Sequence, residues 1–332
     1  MPFDAVIVIA FGGPQGPADV RPFLSNVLRG RRVAPERIDE VAHHYDRFNG
    51  VSPLTALTLR QADGLARRLH GLGRPLPVYV GMRNWHPYLE DTLAAMSRAG
   101  IRRAIALVAA AHRSYSGCTQ YRENVDAARA ALRSNGLEDV EVVYVGDWHL
   151  HTGFIDANAE HVHRALQELP AGVRDRARLI FTAHSIPVPM AERFPYRQQL
   201  EESARAIVAA LQARDTALDW ALVYQSRSGR PDDPWLGPDI CDALREAHAN
   251  GLAAAVVCPV GFICDHIEVL YDLDVEAAAV CHEIGLPIAR ALAVNDHPRF
   301  LDAMADAVMQ VMDRYAAGRP LRIVPPMSRG AG

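Results

Sequence analysis

Ala253–Glu276 reads AAAVVCPVGFICDHIEVLYDLDVE. The apolar run Ala253–Val257 has the length of a buried strand, and Pro259-Val260-Gly261 stops it. Helical spacing begins at once, with Leu270, Leu273, Ala277 and Val280 on one face. Glu268, Asp272 and Glu276 fall at i, i+4 and i+8, so a helix stacks them on the other face. Like charges at that spacing cost roughly 0.2–0.5 kcal/mol per pair. Two readings stay open from spacing alone. The acids are either a ladder for a divalent cation at the carboxyl end of a strand, or an ordinary solvated helix face.

The same strand–turn–helix unit recurs along the chain. Strands are predicted at Ala5–Ile9, Pro77–Val80, Ala104–Val108, Val140–Val145, Arg178–Thr182, Trp220–Val223, Ala253–Cys258 and Pro287–Arg290. Helical patterns follow most of them, among them Pro87–Arg98, Cys118–Ser134 and Ile267–Glu283. This alternation predicts an α/β fold with parallel, doubly wound sheets. A short echo, Ala10-Phe11-Gly12-Gly13-Pro14 against Ala183-His184-Ser185-Ile186-Pro187, suggests two similar halves with a cleft between them. We expect an N-terminal domain over residues 1–150, a C-terminal domain over 151–320 and a flexible tail over 321–332.

Bulk properties narrow the function. A net charge of −4 over 332 residues argues against nucleic-acid binding. No stretch approaches the roughly 18 apolar residues of a membrane span. The N-terminus, MPFDAVIVIAFGG, reads as a first strand and not as a signal peptide. Cys118, Cys241, Cys258, Cys264 and Cys281 are odd in number, widely spaced and without a CxxC pair. Neither a disulfide framework nor a closed zinc site is expected, and a reducing cytoplasm is the default location.

Several side chains carry potential chemistry. His184 ends a β-branched run, where ligands of open sheets collect, and a neutral imidazole there can bind a metal or accept a proton. Alone, it reads rather as a hydrogen-bonded histidine in a loop. With Glu268 at the matching end of another strand it makes a plausible N/O site for Fe²⁺ or Zn²⁺ with most positions open. Trp85-His86-Pro87 either borders a flat ligand, with His86 as proton acceptor, or starts a helix beside a packed tryptophan. The glycine-rich Ala10–Pro17 contains neither GxGxxG nor GxxxxGK[ST], which disfavours a phosphate cradle. Arg29-Gly30-Arg31-Arg32 is a basic turn that could meet an acidic small molecule.

FGGPQGPADVRPFL, GVSPLTALT, GMRNWHPYLEDTL, FTAHSIP, YQSRSGRPDDPWLGPDI and VGFICDHIEVLYDLDVE resemble, in order, the signatures of the ferrochelatase family, and His297–Met312 also fits. The resemblance implies two similar Rossmann-like domains of the class II chelatase type, each with a parallel four-stranded sheet and no nucleotide. It implies insertion of Fe²⁺ into a porphyrin, with His184 and Glu268 as the iron pair and Asp272 and Glu276 as an outer metal site. Ser52, Tyr121, Tyr45 and His86 fall at porphyrin contacts. His44 departs from the Arg-Tyr pair of some members, and Phe11 stands where some have tyrosine. The stretch Pro14–Ser52 lacks the hydrophobic lip of membrane-docking members and carries Arg29, Arg31 and Arg32. An open, basic mouth favours coproporphyrin III, with four carboxylates, over protoporphyrin IX, with two.

The alternatives are protoporphyrin insertion, cobalt or nickel loading of another tetrapyrrole, and a non-catalytic carrier. Substrate Fe²⁺ aside, no cofactor is implied, and no iron–sulfur cluster, because no cysteine follows Cys281. Transient contact with neighbouring haem-pathway enzymes would fit such a role.

Overall fold

A computed structural model describes residues 2–30, 35–228 and 233–318. Arg31, Arg32 and the tail 321–332 lie outside the described residues. Among the described residues, eight strands form: β1 (Ala5–Ala10), β2 (Val78–Met82), β3 (Arg103–Val108), β4 (Glu141–Tyr144), β5 (Ala177–His184), β6 (Asp219–Gln225), β7 (Ala254–Cys258) and β8 (Ile288–Arg290). All eight predicted strands are present. They make two four-stranded sheets with orders β2-β1-β3-β4 and β6-β5-β7-β8, every pair parallel.

The second order is the first repeated with each number raised by four, so the short sequence echo marks a duplicated architecture. Every residue of β1 and of β7 is buried. Helices cover both faces of each sheet, which explains why these strands are continuous apolar runs without alternation.

The sheets separate near residue 150, but the last helix does not stay with the second one. Pro298–Ala316 packs on helix Leu54–Gly71 and over β3, as well as on Thr152–Glu168. Phe3 and Tyr315 meet edge-on at 5.1 Å. Gly153 permits the close approach of the two crossing helices, because a Cβ there would lie 2.2 Å from the Arg299 carbonyl oxygen. Among the described residues, no helix is long and apolar enough to cross a membrane.

Three helix predictions need correction. Pro87 does not open a helix. A cis bond joins it to His86, and the helix runs Leu89–Arg98 with Tyr88 at its N-cap. The helix predicted from Cys118 is entered through a π-helical turn, Tyr115–Thr119. Ile267–Glu283 is not a continuous α-helix. One α-turn, Ile267–Val269, leads into a π-helical stretch, Leu270–Ala277, before α-helix resumes at Ala278–Ile284. The two π stretches follow β3 and β7, which hold the same place in the two sheets.

Candidate functional site

His184 closes β5, whose register runs Phe181 beside Cys258 on β7 and His184 beside Gln225 on β6. The turn after β7 folds tightly against the end of β5. Gly261 donates its N–H to the Thr182 carbonyl at 3.0 Å. A Cβ on Gly261 would sit 2.5 Å from Ala183 Cβ, so only glycine allows this approach. The consequence is that DHIE starts beside His184. His184 Nε2 lies 3.7 Å from Glu268 Oε2, with side chains 32% and 49% exposed.

The tautomer of His184 follows from its other contact. Nδ1 lies 2.5 Å from the Ser185 carbonyl oxygen, which can only accept, so Nδ1 carries the proton. In the neutral ring the Nε2 lone pair therefore faces Glu268. Metal–nitrogen and metal–oxygen bonds of about 2.0–2.2 Å place two donors on one ion some 3–4 Å apart, the separation found here. Two side-chain donors alone leave most positions on an ion open.

The loops around the pair are braced. Ser185 donates its hydroxyl to Leu236 O at 2.7 Å, and Tyr196 donates its hydroxyl to His184 O at 3.1 Å. Leu236 N–H donates to Ile186 O, and Pro187 bridges Trp235, so the PWLGP segment is a splint for His184. His266 Nδ1 accepts the Glu268 N–H at 3.2 Å and caps the helix start, while its ring meets Phe262 edge-on. Burial holds the His266 imidazole below the usual histidine range. Neither the splint nor the capping role carries a periodic signal in sequence.

The acid ladder is uneven. Asp272 is only 9% exposed, which overturns the solvated-face reading for that residue. Burial pushes its carboxyl up to about 7, and the neighbouring charges of Glu268 and Glu276 push the same way. Hydrogen bonds from Ser226 and, at 3.2 Å, from Gln225 Nε2 oppose that shift. Gln225 also donates to the Glu268 carbonyl at 3.2 Å. Glu276 is exposed. In the π-helix, hydrogen bonds close i→i+5 and not i→i+4, so Asp272 and Glu276 lie on a wider turn than the α-spacing implied, while Glu268 stays on the α-turn before it.

The first half supplies aromatic walls. Val20, Phe23, Leu24, Tyr45 and Trp85 pack with Ile267, and Phe11 and Tyr271 lie against the same cluster. His44 stacks on Tyr271 at 3.6 Å and 9°. Tyr45 is buried, and both burial and the nearby Glu268 charge hold its hydroxyl well above the usual tyrosine range. Tyr45 therefore belongs to the site neighbourhood. Trp85 is buried against Phe23, while His86 is exposed and rests on Tyr88 at 4.3 Å.

Ser52 and Tyr121 are both buried in the first half. Ser52 is buried under Gly13, and its hydroxyl accepts the Leu54 N–H at 3.4 Å. Tyr121 sits in the core between β1 and helix Gln120–Ser134, and burial pushes its hydroxyl up to about 12. The Arg83 guanidinium lies over both Tyr121 and Phe11, at 5.7 and 5.8 Å from the ring centroids. Arg29 is exposed and donates to Asn26 Oδ1 at 2.7 Å.

A cavity of about 270 Å³ is lined by Tyr115 from the first half and by Pro189, Met190, Arg193 and Phe194 from the second. Its second-half wall is the short helix Val188–Arg193, which begins directly after His184-Ser185-Ile186-Pro187 and which sequence periodicity missed. Apolar and aromatic walls with one cation suit a flat ligand carrying a carboxylate.

Comparison with known proteins agrees with this geometry. The model of the family described as Ferrochelatase matches residues 3–312. The chain is 47% identical over 321 residues to the coproporphyrin III ferrochelatase of Streptomyces coelicolor, covering 93% of this chain and 85% of that one. It is 45% identical to the ferrochelatase of Rhodopirellula baltica, covering 93% and 86%. It is 44% identical to the coproporphyrin III ferrochelatase of Mycolicibacterium smegmatis, covering 98% and 93%. Among solved structures, the sirohydrochlorin chelatase SirB of Bacillus subtilis subspecies spizizenii, in complex with cobalt, is similar in fold. Its TM-score is 0.52 at 10% identity, with 96% of this chain and 99% of that chain covered.

Proposed function

The chain belongs to the ferrochelatase family, and from that premise we propose that it inserts Fe²⁺ into coproporphyrin III, releasing the two pyrrole protons. The observation that carries the reading is the convergence of His184 Nε2 and Glu268 Oε2 at 3.7 Å beside an aromatic-walled cleft. Iron is a substrate here. His184 and Glu268 hold it by two donors and leave positions for water and then for pyrrole nitrogens.

Because Nδ1 is tied to the Ser185 carbonyl, Nε2 is also the one ring atom that can accept a pyrrole proton. Asp272 and Glu276 form an outer acidic path. Asp272 sits near the middle of its titration at neutral pH, a condition suited to passing a proton or greeting a hydrated cation.

Coproporphyrin is the favoured macrocycle, a reading supported by the names of the Streptomyces and Mycolicibacterium relatives and by cations that can meet its carboxylates. Arg193 lines the cavity and Arg29 stands exposed on the first half. Each can pair with a propionate carboxylate, and coproporphyrin offers four. Tyr45, His86, Ser52 and Tyr121 stand as proposed macrocycle neighbours, the last two through their packing. The reading needs neither a resident cofactor nor an iron–sulfur cluster. It places the enzyme in the cytoplasm, handing product to a neighbouring haem-pathway enzyme.

Anaerobic Fe²⁺ insertion, followed by the Soret band with coproporphyrin III and protoporphyrin IX side by side, tests this. Faster conversion of coproporphyrin is expected. No metalloporphyrin from either macrocycle overturns the activity, and faster conversion of protoporphyrin overturns the substrate.

A further inference from the structure

We propose that Arg290 is a positioning residue for the metal step, holding Glu268 in place by clamping both sides of it at once. Arg290 ends β8, and its side chain is 13% exposed. Its Nε and Nη2 donate to the two carboxylate oxygens of Asp274, at 2.5 and 2.9 Å. Its Nη1 donates to Asp265 Oδ1 at 2.8 Å. Asp265 lies three residues before Glu268, and Asp274 six after it, inside the π stretch. One planar guanidinium therefore joins the turn that launches Glu268 to the helix that follows.

The clamp is itself anchored. Asp265 Oδ2 accepts from Asn295 Nδ2 at 2.6 Å, and the Asp265 N–H donates to Asn295 Oδ1 at 2.9 Å. Ala293 N–H donates to Asp265 Oδ1 at 3.2 Å. Asn295 N–H donates to Ile263 O at 2.9 Å, so the loop after β8 clasps the loop after β7. Glu268, between the two clamped acids, is half exposed and lies 3.7 Å from His184.

The chemistry calls for arginine. A lysine has three donors on one nitrogen and cannot serve one acid bidentately while reaching another in a fixed plane. A π stretch is an uncommon backbone state, and an alternative α register would shift the Glu268–Asp272 relation. The Asp274 arm of the clamp opposes that shift. The consequence for the reaction falls first on iron, because Arg290 bonds Asp265 and Asp274 directly, whereas the first-half walls meet this segment through the apolar packing of Ile267 and Tyr271.

The inference rests on the reading of Glu268 as iron ligand, so the wild type is assayed first. Arg290→Lys and Asp274→Asn are made in the full chain and checked for native Tm. With saturating coproporphyrin III, Arg290→Lys should lower kcat/KM for Fe²⁺ by roughly 10–100-fold, the cost of an ångström-scale misplacement. The porphyrin Kd, read by fluorescence quenching, should change far less than the iron constant. Asp274→Asn should lower the same constant less, and the double variant should match Arg290→Lys alone, because both remove one interaction.

Unchanged iron kinetics in folded Arg290→Lys overturn the inference. So does a parallel loss of porphyrin binding, iron use and Tm, which is the signature of a merely structural role. If the wild type inserts no iron, it is the proposed activity that fails.

Discussion

The two halves have the same strand order and a π-helical turn at the same place, yet only the second sets a histidine and carboxylates at that end. After β3, the π segment is Tyr-Ser-Gly-Cys-Thr, without a carboxylate. After β7 it is Leu-Tyr-Asp-Leu-Asp-Val-Glu-Ala, with three. At the central strands, Phe11 follows β1 where His184 closes β5. The backbone thus builds two similar rims, and side chains make one of them aromatic and the other ligating. A flat apolar macrocycle that must meet an ion needs one of each.

The largest test of that division is to remove the ligating pair. His184→Ala or Glu268→Gln should lower iron insertion by roughly 10²–10⁴-fold while the porphyrin Kd is retained. Phe11→Ala, at the matching place, should instead weaken porphyrin binding and leave the KM for Fe²⁺ unchanged. Steady-state kinetics with each substrate varied in turn separates the two patterns. Near-normal turnover in Glu268→Gln would sink the assignment.

A smaller effect sharpens the contrast between the two π segments. Burial lifts the Asp272 carboxyl from an ordinary 3.8 to about 7 in the metal-free protein. Between those values the folded chain keeps a proton that the unfolded chain has lost. Stability therefore falls as pH rises through that window and levels off above it. Asp272→Asn should remove this slope, and thermal melts at several pH values read it directly. The segment after β3, having no acid, should contribute none.

The smallest expected effect concerns how the halves are joined. Arg60 pairs with Asp296 at 2.8 Å across them, but both side chains are well exposed. Arg60→Ala should cost no more than about 1 kcal/mol in chemical denaturation. The shared apolar core, which runs from Val6 and Leu65 to Phe181 and Phe300, does most of the joining.

Strands were legible because buried parallel strands are short apolar runs with clear stops, and Ala254–Cys258 shows both. The meeting of His184 and Glu268 was legible because each follows a strand end within a long motif. What sequence hid was tertiary. Asp272 has the spacing of a surface acid, and only the ends of β6 bury it. Arg290 lies 16 and 25 residues from its partners, too far for any local pattern. Ser52 and Tyr121 sit in recognisable motifs, yet packing assigns them to a helix start and a core. Val188–Arg193 was missed because three prolines bracket or enter it, and that composition reads as loop.

The return of Pro298–Ala316 to the first sheet means that the polypeptide passes between the halves twice, once before Thr152 and once after Arg290. Gly153 and Arg299, one just past each crossing, meet in close packing, so the two passages are stapled to each other. The apolar core that both halves share lies beside them. Chain path and packing thus act together as a double seam, and the aromatic rim and the acidic rim keep one alignment without a covalent cross-link.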